Sequence, residues 1–226
     1  MSGQHDHDHD HDHHHDHSHG HDHAHPGVAA DDASAPGRYE LMTLALKELL
    51  IEKGHISAEQ VRRGLETLDS WQPARGAAVV ARAWSDPGFK ARLLADGNAA
   101  VAPFGIDMGE AKLTVVESSD RVHNVIVCTL CSCYPRDLLG LPPSWYKSRE
   151  YRARVVREPR SVLAEFGTIL PNETEIRVHD STADMRYLVL PMRPAGTESM
   201  SAAELEKLIT RDSMVGVALA ADPPRH

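Results

Sequence analysis

Apolar positions along the chain change period twice. From Arg38 the run LMTLALKELLIEKG sets Leu41, Leu44, Leu49 and Leu50 near a 3.6-residue stripe, and Gly54 stands where a helix would stop. Ser57 then stands as a cap, with Glu59 and Gln60 in the first turn of a second helix, SAEQVRRGLETL. A join of three or four residues predicts a helical hairpin arm over 38–72. A third helical zone covers about 75–100, where Asp86-Pro87 restarts a helix. Such stripes suit packing into a core or docking onto another subunit, and nothing local separates the two.

Near residue 111 the pattern becomes strand-like. KLTVVE and HNVIVC are rich in β-branched residues, with Ser118-Ser119-Asp120 as a turn between them. Beyond them Pro135, Gly140 and Pro142-Pro143 argue against regular structure. Helical segments follow around 148–156 and 159–166, then the strands TEIRVHD and RYLVLP. A last helix starts at Ser201, with Glu204 completing a capping box. The expected class is α+β: an N-terminal helical arm, then a small β-sheet core covered by helices, residues 73–226 forming one domain.

Composition adds a segment with neither period. Residues 1–25 hold twelve of the sixteen histidines: His5, His7, His9, His11, His13, His14, His15, His17, His19, His21, His23 and His25. With almost no apolar residues to offset the entropy of ordering, this tract is expected to be disordered, and 26–37 reads as a linker. Imidazoles alternating with carboxylates suit loosely bound divalent ions such as Ni²⁺, Co²⁺ or Zn²⁺. A purification tag or a solvated polar tail is the plainer reading.

The net charge is −9, and with the six aspartates of residues 1–25 set aside the remainder carries −3. That balance leaves no basic footprint for nucleic acid. No apolar run approaches the roughly 20 residues that span a bilayer, and no basic stretch precedes an apolar core at the N-terminus. The expected compartment is the cytoplasm, where clustered cysteines suggest metal or redox chemistry rather than disulfides.

All three cysteines lie in VCTLCSCY, residues 127–134, as Cys128, Cys131 and Cys133. A structural zinc site wants four ligands, usually from two separated pairs; here only His55, His123 or His179 would complete a set in the folded part. A tight loop can instead converge three sulfurs, with the amides of Ser132 and Cys133 beside them. Deprotonated, those amides would make five strong anionic donors, which favour a trivalent ion and leave one octahedral position open for Lewis-acid chemistry. Thiolates beside such an ion are the species that oxidise to sulfenic and sulfinic acids.

The loop and its surroundings resemble the nitrile hydratase α subunit: HNVIV before it, then GLPPSWYKS, YRARVVREPR, RYLVLP, RPAGT and TRDSMVGV, from about Arg38 to the C-terminus. The resemblance implies Cys128, Cys131 and Cys133 as sulfur ligands and the amides of Ser132 and Cys133 as nitrogen ligands. It also implies a sulfinic acid at Cys131 and a sulfenic acid at Cys133. Thr129 and Tyr134 match the cobalt branch, so one Co(III) per chain is expected before Fe(III). The implied reaction is R–C≡N + H2O → R–CO–NH2 on a small nitrile. The ion polarises the nitrile, and either the Cys133 sulfenate oxygen, with Ser132 beside it, or an activated water attacks its carbon. A separate β subunit would complete a heterodimer or heterotetramer, with the 38–70 arm as its grip, and an activator or metallochaperone is a further expected partner.

Departures bear on substrate. Arg136-Asp137 follow the cluster where the cobalt branch often has Trp-Pro, and an arginine there is similar to the metal-bearing subunit of thiocyanate hydrolase. The next stretch, GLPPSWYK, is the nitrile hydratase version. Glu198-Ser199-Met200 and His179 also depart from the pattern. Arg136 and Trp145 are candidates for the pocket, and Asp180 and Arg186 for support of the loop. Arg152, Arg154, Arg157 and Arg160 read as a solvated face pairing with the partner. Outside enzymology, a metal-storage or metal-relay protein would use the tract and the cysteines together.

Overall fold

The computed structural model describes residues 37–131 and 133–224. The histidine tract, most of the linker and Ser132, on which some of these expectations fall, lie outside the described residues. The chain divides into two compact units, one ending at His55 and one starting at Ile56.

The first unit, as far as it is described, is helix α1 (Arg38–Glu52). Its end is a Schellman motif: Gly54 takes φ 72°, His55 N–H donates to Leu50 O at 2.9 Å, and Gly54 N–H to Ile51 O at 3.0 Å. Most of its leucines are left in solvent, with Leu41 53% and Leu49 44% exposed, and Leu50 is half-buried.

The second unit opens with α2 (Ala58–Ser70), whose capping box pairs Ser57 and Gln60 reciprocally at 3.1 and 2.7 Å. No residue of α2 is buried. The unit boundary therefore falls inside the expected 38–72 arm and separates its two helices. Helix α3 (Pro73–Ser85) is the opposite case, sinking Ala77, Val79, Val80, Ala81 and Ala83 into the core. Asp86 and Asp96 cap α4 (Pro87–Ala95) and α5 (Gly97–Val101) through their carboxylates.

Strands β1 (Lys112–Glu117) and β2 (Val122–Val127) fall where the β-branched runs predict. They do not pair. The single sheet expected is instead two parallel pairs: β2 with β3 (Glu175–Asp180), and β1 with β4 (Met185–Leu190). Strand β2 is buried from His123 to Val127, the character of a strand covered on both faces. The turn between β1 and β2 is held by side chains: Asn124 N–H donates to Ser118 Oγ at 3.1 Å, and Asn124 Nδ2 to Glu117 O at 2.7 Å. Gly216 closes over this region with φ 90°, and a Cβ there would stand 2.0 Å from Asn124 O.

A parallel pair needs a long crossover, and residues 128–174 supply it. The crossover carries α6 (Arg136–Leu139), α7 (Ser144–Lys147), α8 (Arg149–Arg154) and α9 (Pro159–Glu165). Single-turn helices thus form where regular structure is not expected, α6 between Pro135 and Gly140 and α7 directly after Pro143. Helices α10 (Ala202–Glu206) and α11 (Arg211–Val215) complete the unit, each behind a capping box.

Candidate metal centre

The cysteine loop leaves the buried end of β2 at Cys128 and returns to the core at Tyr134. Between them the chain turns tightly enough for the Cys131 N–H to donate to Cys128 Sγ at 3.3 Å. The sulfurs of Cys128 and Cys131 lie 3.4 Å apart and those of Cys131 and Cys133 3.2 Å, all three within 4.8 Å of one another. With metal–sulfur bonds of about 2.3 Å, two sulfurs stand about 3.3 Å apart at a right angle and about 3.8 Å apart at a tetrahedral angle. The spacings between successive sulfurs therefore fit neighbouring corners of an octahedron. No histidine or carboxylate joins the cluster among the described residues, so the zinc alternative finds no fourth ligand there. His123 donates Nε2–H to Gly216 O at 2.7 Å, and its pKa is lowered by burial against that hydrogen bond. His179 binds Asn124 Oδ1 at 2.8 Å, and burial, then Arg177, lower its pKa. Metal-free, burial and the neighbouring thiols push the Cys133 thiol up to about 12, while the charge of Arg186 pulls the other way. A cation at this centre would reverse that balance by binding the thiolates.

Long-range contacts fix the loop. Asp180, at the end of β3, accepts from Thr129 N–H at 2.9 Å and from the Thr129 hydroxyl at 2.6 Å. Register places Asp180 opposite Val127, and Ser181 N–H extends the pairing to Val127 O at 2.7 Å. Tyr146 donates its hydroxyl to Cys133 O at 2.9 Å, Tyr151 to Ile126 O at 2.7 Å, and Arg152 Nη1 to Thr129 O at 3.3 Å. Arg152, expected on a solvated face, instead holds the loop, and Tyr151 carries no expected role; the crossover brings both to it.

Above the loop lies a cavity of about 460 Å³ lined by Cys131, Cys133, Arg136, Leu141, Lys147 and Arg186, among others. Arg136 and Arg186 both line this cavity, whereas Asp180 does not and binds Thr129 instead. Trp145 is not among the lining residues and packs edge-on against Tyr151 and Phe166, at 4.9 and 4.8 Å between ring centres. Nor are the α8–α9 arginines a bare solvated face. Arg154 pairs with Glu158 and Glu165 of this chain, and Arg160 donates to the carbonyls of Leu170, Pro171 and Thr174. A second cavity, about 270 Å³ and apolar, is lined by His123 and Ser213 and contains no cysteine.

The profile of the family described as "Nitrile hydratase, alpha chain" matches residues 37–218. The α subunit of the low-molecular-weight cobalt-containing nitrile hydratase of Rhodococcus rhodochrous is 48% identical over 183 residues, covering 80% of this chain and 88% of the relative. The γ subunit of thiocyanate hydrolase from Thiobacillus thioparus is 43% identical over 193 residues, covering 80% and 79%. Among solved structures, a double mutant of the Fe-type nitrile hydratase of Comamonas testosteroni Ni1 superposes with a TM-score of 0.76 at 44% identity, covering 84% of this chain and 94% of that one. A three-sulfur loop at a strand end, on a chain matched over this length, belongs to the nitrile hydratase alpha-chain family.

Proposed function

We propose that this chain is the metal-bearing α subunit of a nitrile hydratase of the cobalt type, converting R–C≡N and H2O to R–CO–NH2. One observation carries the reading: CxxCxC gathers three sulfurs, successive ones 3.4 and 3.2 Å apart, with Cys131 and Cys133 lining an open cavity and Cys128 buried beside them. The cobalt-containing relatives support Co(III) over Fe(III) at that site. When bound, such an ion would supply Lewis acidity and an exchangeable position. Cys128, Cys131 and Cys133 would hold it, together with the amides of Ser132 and Cys133. Asp180, Tyr146 and Arg152 keep the loop from opening, and Arg186 stands where it stabilises negative charge on Cys133. Sulfinate at Cys131 and sulfenate at Cys133 would carry that charge on oxygen, within reach of hydrogen-bond donors.

The exposed leucines of α1 and α2 support a partner β subunit, since apolar helical stripes of this kind do not stay in water by preference. No helix among the described residues is long and apolar enough to cross a membrane, and we place the complex in the cytoplasm. The histidine tract would concentrate cobalt for the site; deleting residues 4–25 should lower occupancy only when cobalt is scarce. The test of the main reading is co-expression with the partner, then metal analysis and peptide mass. One cobalt per chain and about three added oxygens on the 128–133 peptide, with nitrile hydration, are expected. Unmodified cysteines carrying zinc would overturn it in favour of metal storage or relay. Thiocyanate hydrolysis is the second reading, favoured by Arg136 in the cavity and by the 43% identical relative.

A further inference from the structure

The cavity over the cysteines has one sign of charge. Arg136, Lys147 and Arg186 line it, and none of the described lining residues is acidic. Their environments differ. Arg186 is tethered, its Nη1 donating to the carbonyls of Thr182, Ala183 and Met185, and its charge acts on Cys133. It serves the sulfurs.

Arg136 and Lys147 are not so committed. Both are exposed, one at the first position of α6 and the other at the last of α7. The ion pairs among the described residues involve other side chains. Arg136 rests over the Trp71 ring, 5.4 Å from its centre, a contact that steadies the guanidinium without neutralising it. Gly140, Leu141 and the Pro142-Pro143 pair join α6 to α7, and a cation from each helix lines the same cavity. A cleft lined by like charges concentrates ions of opposite sign and orients them on entry.

We infer that the preferred substrates are anionic nitriles, small cyano-carboxylates whose carboxylate engages Arg136 and Lys147 while the C≡N group points to the sulfurs. Leu141 and Pro142 supply the short apolar contact for the methylenes between the two ends. This rests on the nitrile-hydration reading and adds the substrate class to it.

The test uses the cobalt-loaded complex with its partner subunit and compares 3-cyanopropanoate with its neutral isostere 3-cyanopropanamide. The expected kcat/KM ratio favours the anion by about tenfold at low salt and shrinks toward one as salt rises. Arg136→Gln and Lys147→Gln should each lower that ratio several-fold, with Arg136→Lys recovering part of it. Calorimetry with butanoate, an unreactive carboxylate, should show weaker binding in both glutamine variants, on loaded and metal-free complex alike. Equal hydration of the two nitriles, or variants that depress both equally, would overturn the inference and leave nitrile hydration standing. Loss of the partner from either variant on size exclusion would assign these cations to the subunit interface and overturn it too. Thiocyanate hydrolysed while neither nitrile is hydrated would overturn the function itself.

Discussion

The Asp180 clamp is where the geometry makes its most quantitative demand. Replacing Asp180 by Ala removes two acceptors from Thr129, at 2.9 Å to its amide and 2.6 Å to its hydroxyl. A hydrogen bond to a charged group is worth about 1.5–3 kcal/mol and a neutral one about 1. Asp180 is exposed, so solvent competes and each bond belongs at or below the lower end. The expected loss is about 2 kcal/mol for Asp180→Ala. Asp180→Asn keeps an acceptor for the amide and should lose about 1 kcal/mol or less. Thr129→Val removes only the hydroxyl. Urea denaturation of the co-expressed complex for the two single variants and the double one gives the coupling energy, expected at about 1 kcal/mol. Metal analysis of the same samples should show cobalt falling in step, since Thr129 joins Cys128 to the rest of the loop. If the two substitutions are additive to within about 0.3 kcal/mol, the clamp is a bystander and the argument for a preset loop fails.

Three further outcomes follow from the same structure. Tyr146→Phe leaves the Cys133 carbonyl without its buried donor and should cost about 1–2 kcal/mol, with reduced metal occupancy; unchanged cobalt content would count against it. Gly216→Ala meets both a left-handed φ of 90° and Asn124 O at 2.0 Å, so a loss above about 3 kcal/mol is expected, seen as a collapse of soluble complex or of its melting temperature. His123 has a folded pKa below its unfolded value because it is buried. The unfolded chain therefore binds the proton first, and the stability that neutral His123 permits, present above the ordinary histidine pKa of about 6.5, is lost as pH falls through the folded value. His123→Gln, which still offers a donor to Gly216 O, should flatten the acid side of the stability profile. His179, lowered in the same direction, leaves a residual slope, and an unchanged profile would show that His123 is not the group responsible.

What the sequence reveals of this protein depends on how far apart the interacting residues are. The sulfur ligands are legible because all of them fall within six residues, and a loop closed by neighbours carries its geometry in its spacing. The strands are legible for the same local reason, since KLTVVE and HNVIVC are β-branched runs wherever they pair. Their partners are not. Nothing within β1 or β2 says that the turn at Ser118-Ser119-Asp120 separates two sheets rather than joining one; that follows from a crossover of nearly fifty residues and from side-chain bonds made by Asn124. The same distance hides what the supports of the site hold: Asp180 is named from the sequence without its partner, and Arg152 is read as part of a solvated face. Asp180 reaches Thr129 from 51 residues away, and Arg152 from 23.

Lys147 shows the consequence for function. In sequence it is one more cation in a proline-flanked stretch with no helical signal, because a four-residue helix is too short for periodicity to register. In the fold that single turn brings it to the cavity lined also by Arg136, eleven residues earlier, and by Cys131 and Cys133. Metal chemistry is written locally in CxxCxC, whereas the substrate choice inferred above rests on cavity residues brought together by the fold, Arg186 among them. Two family members can therefore keep the loop intact and differ in what they act on, and the difference is to be sought at 136, 147 and 186 before the cysteines themselves.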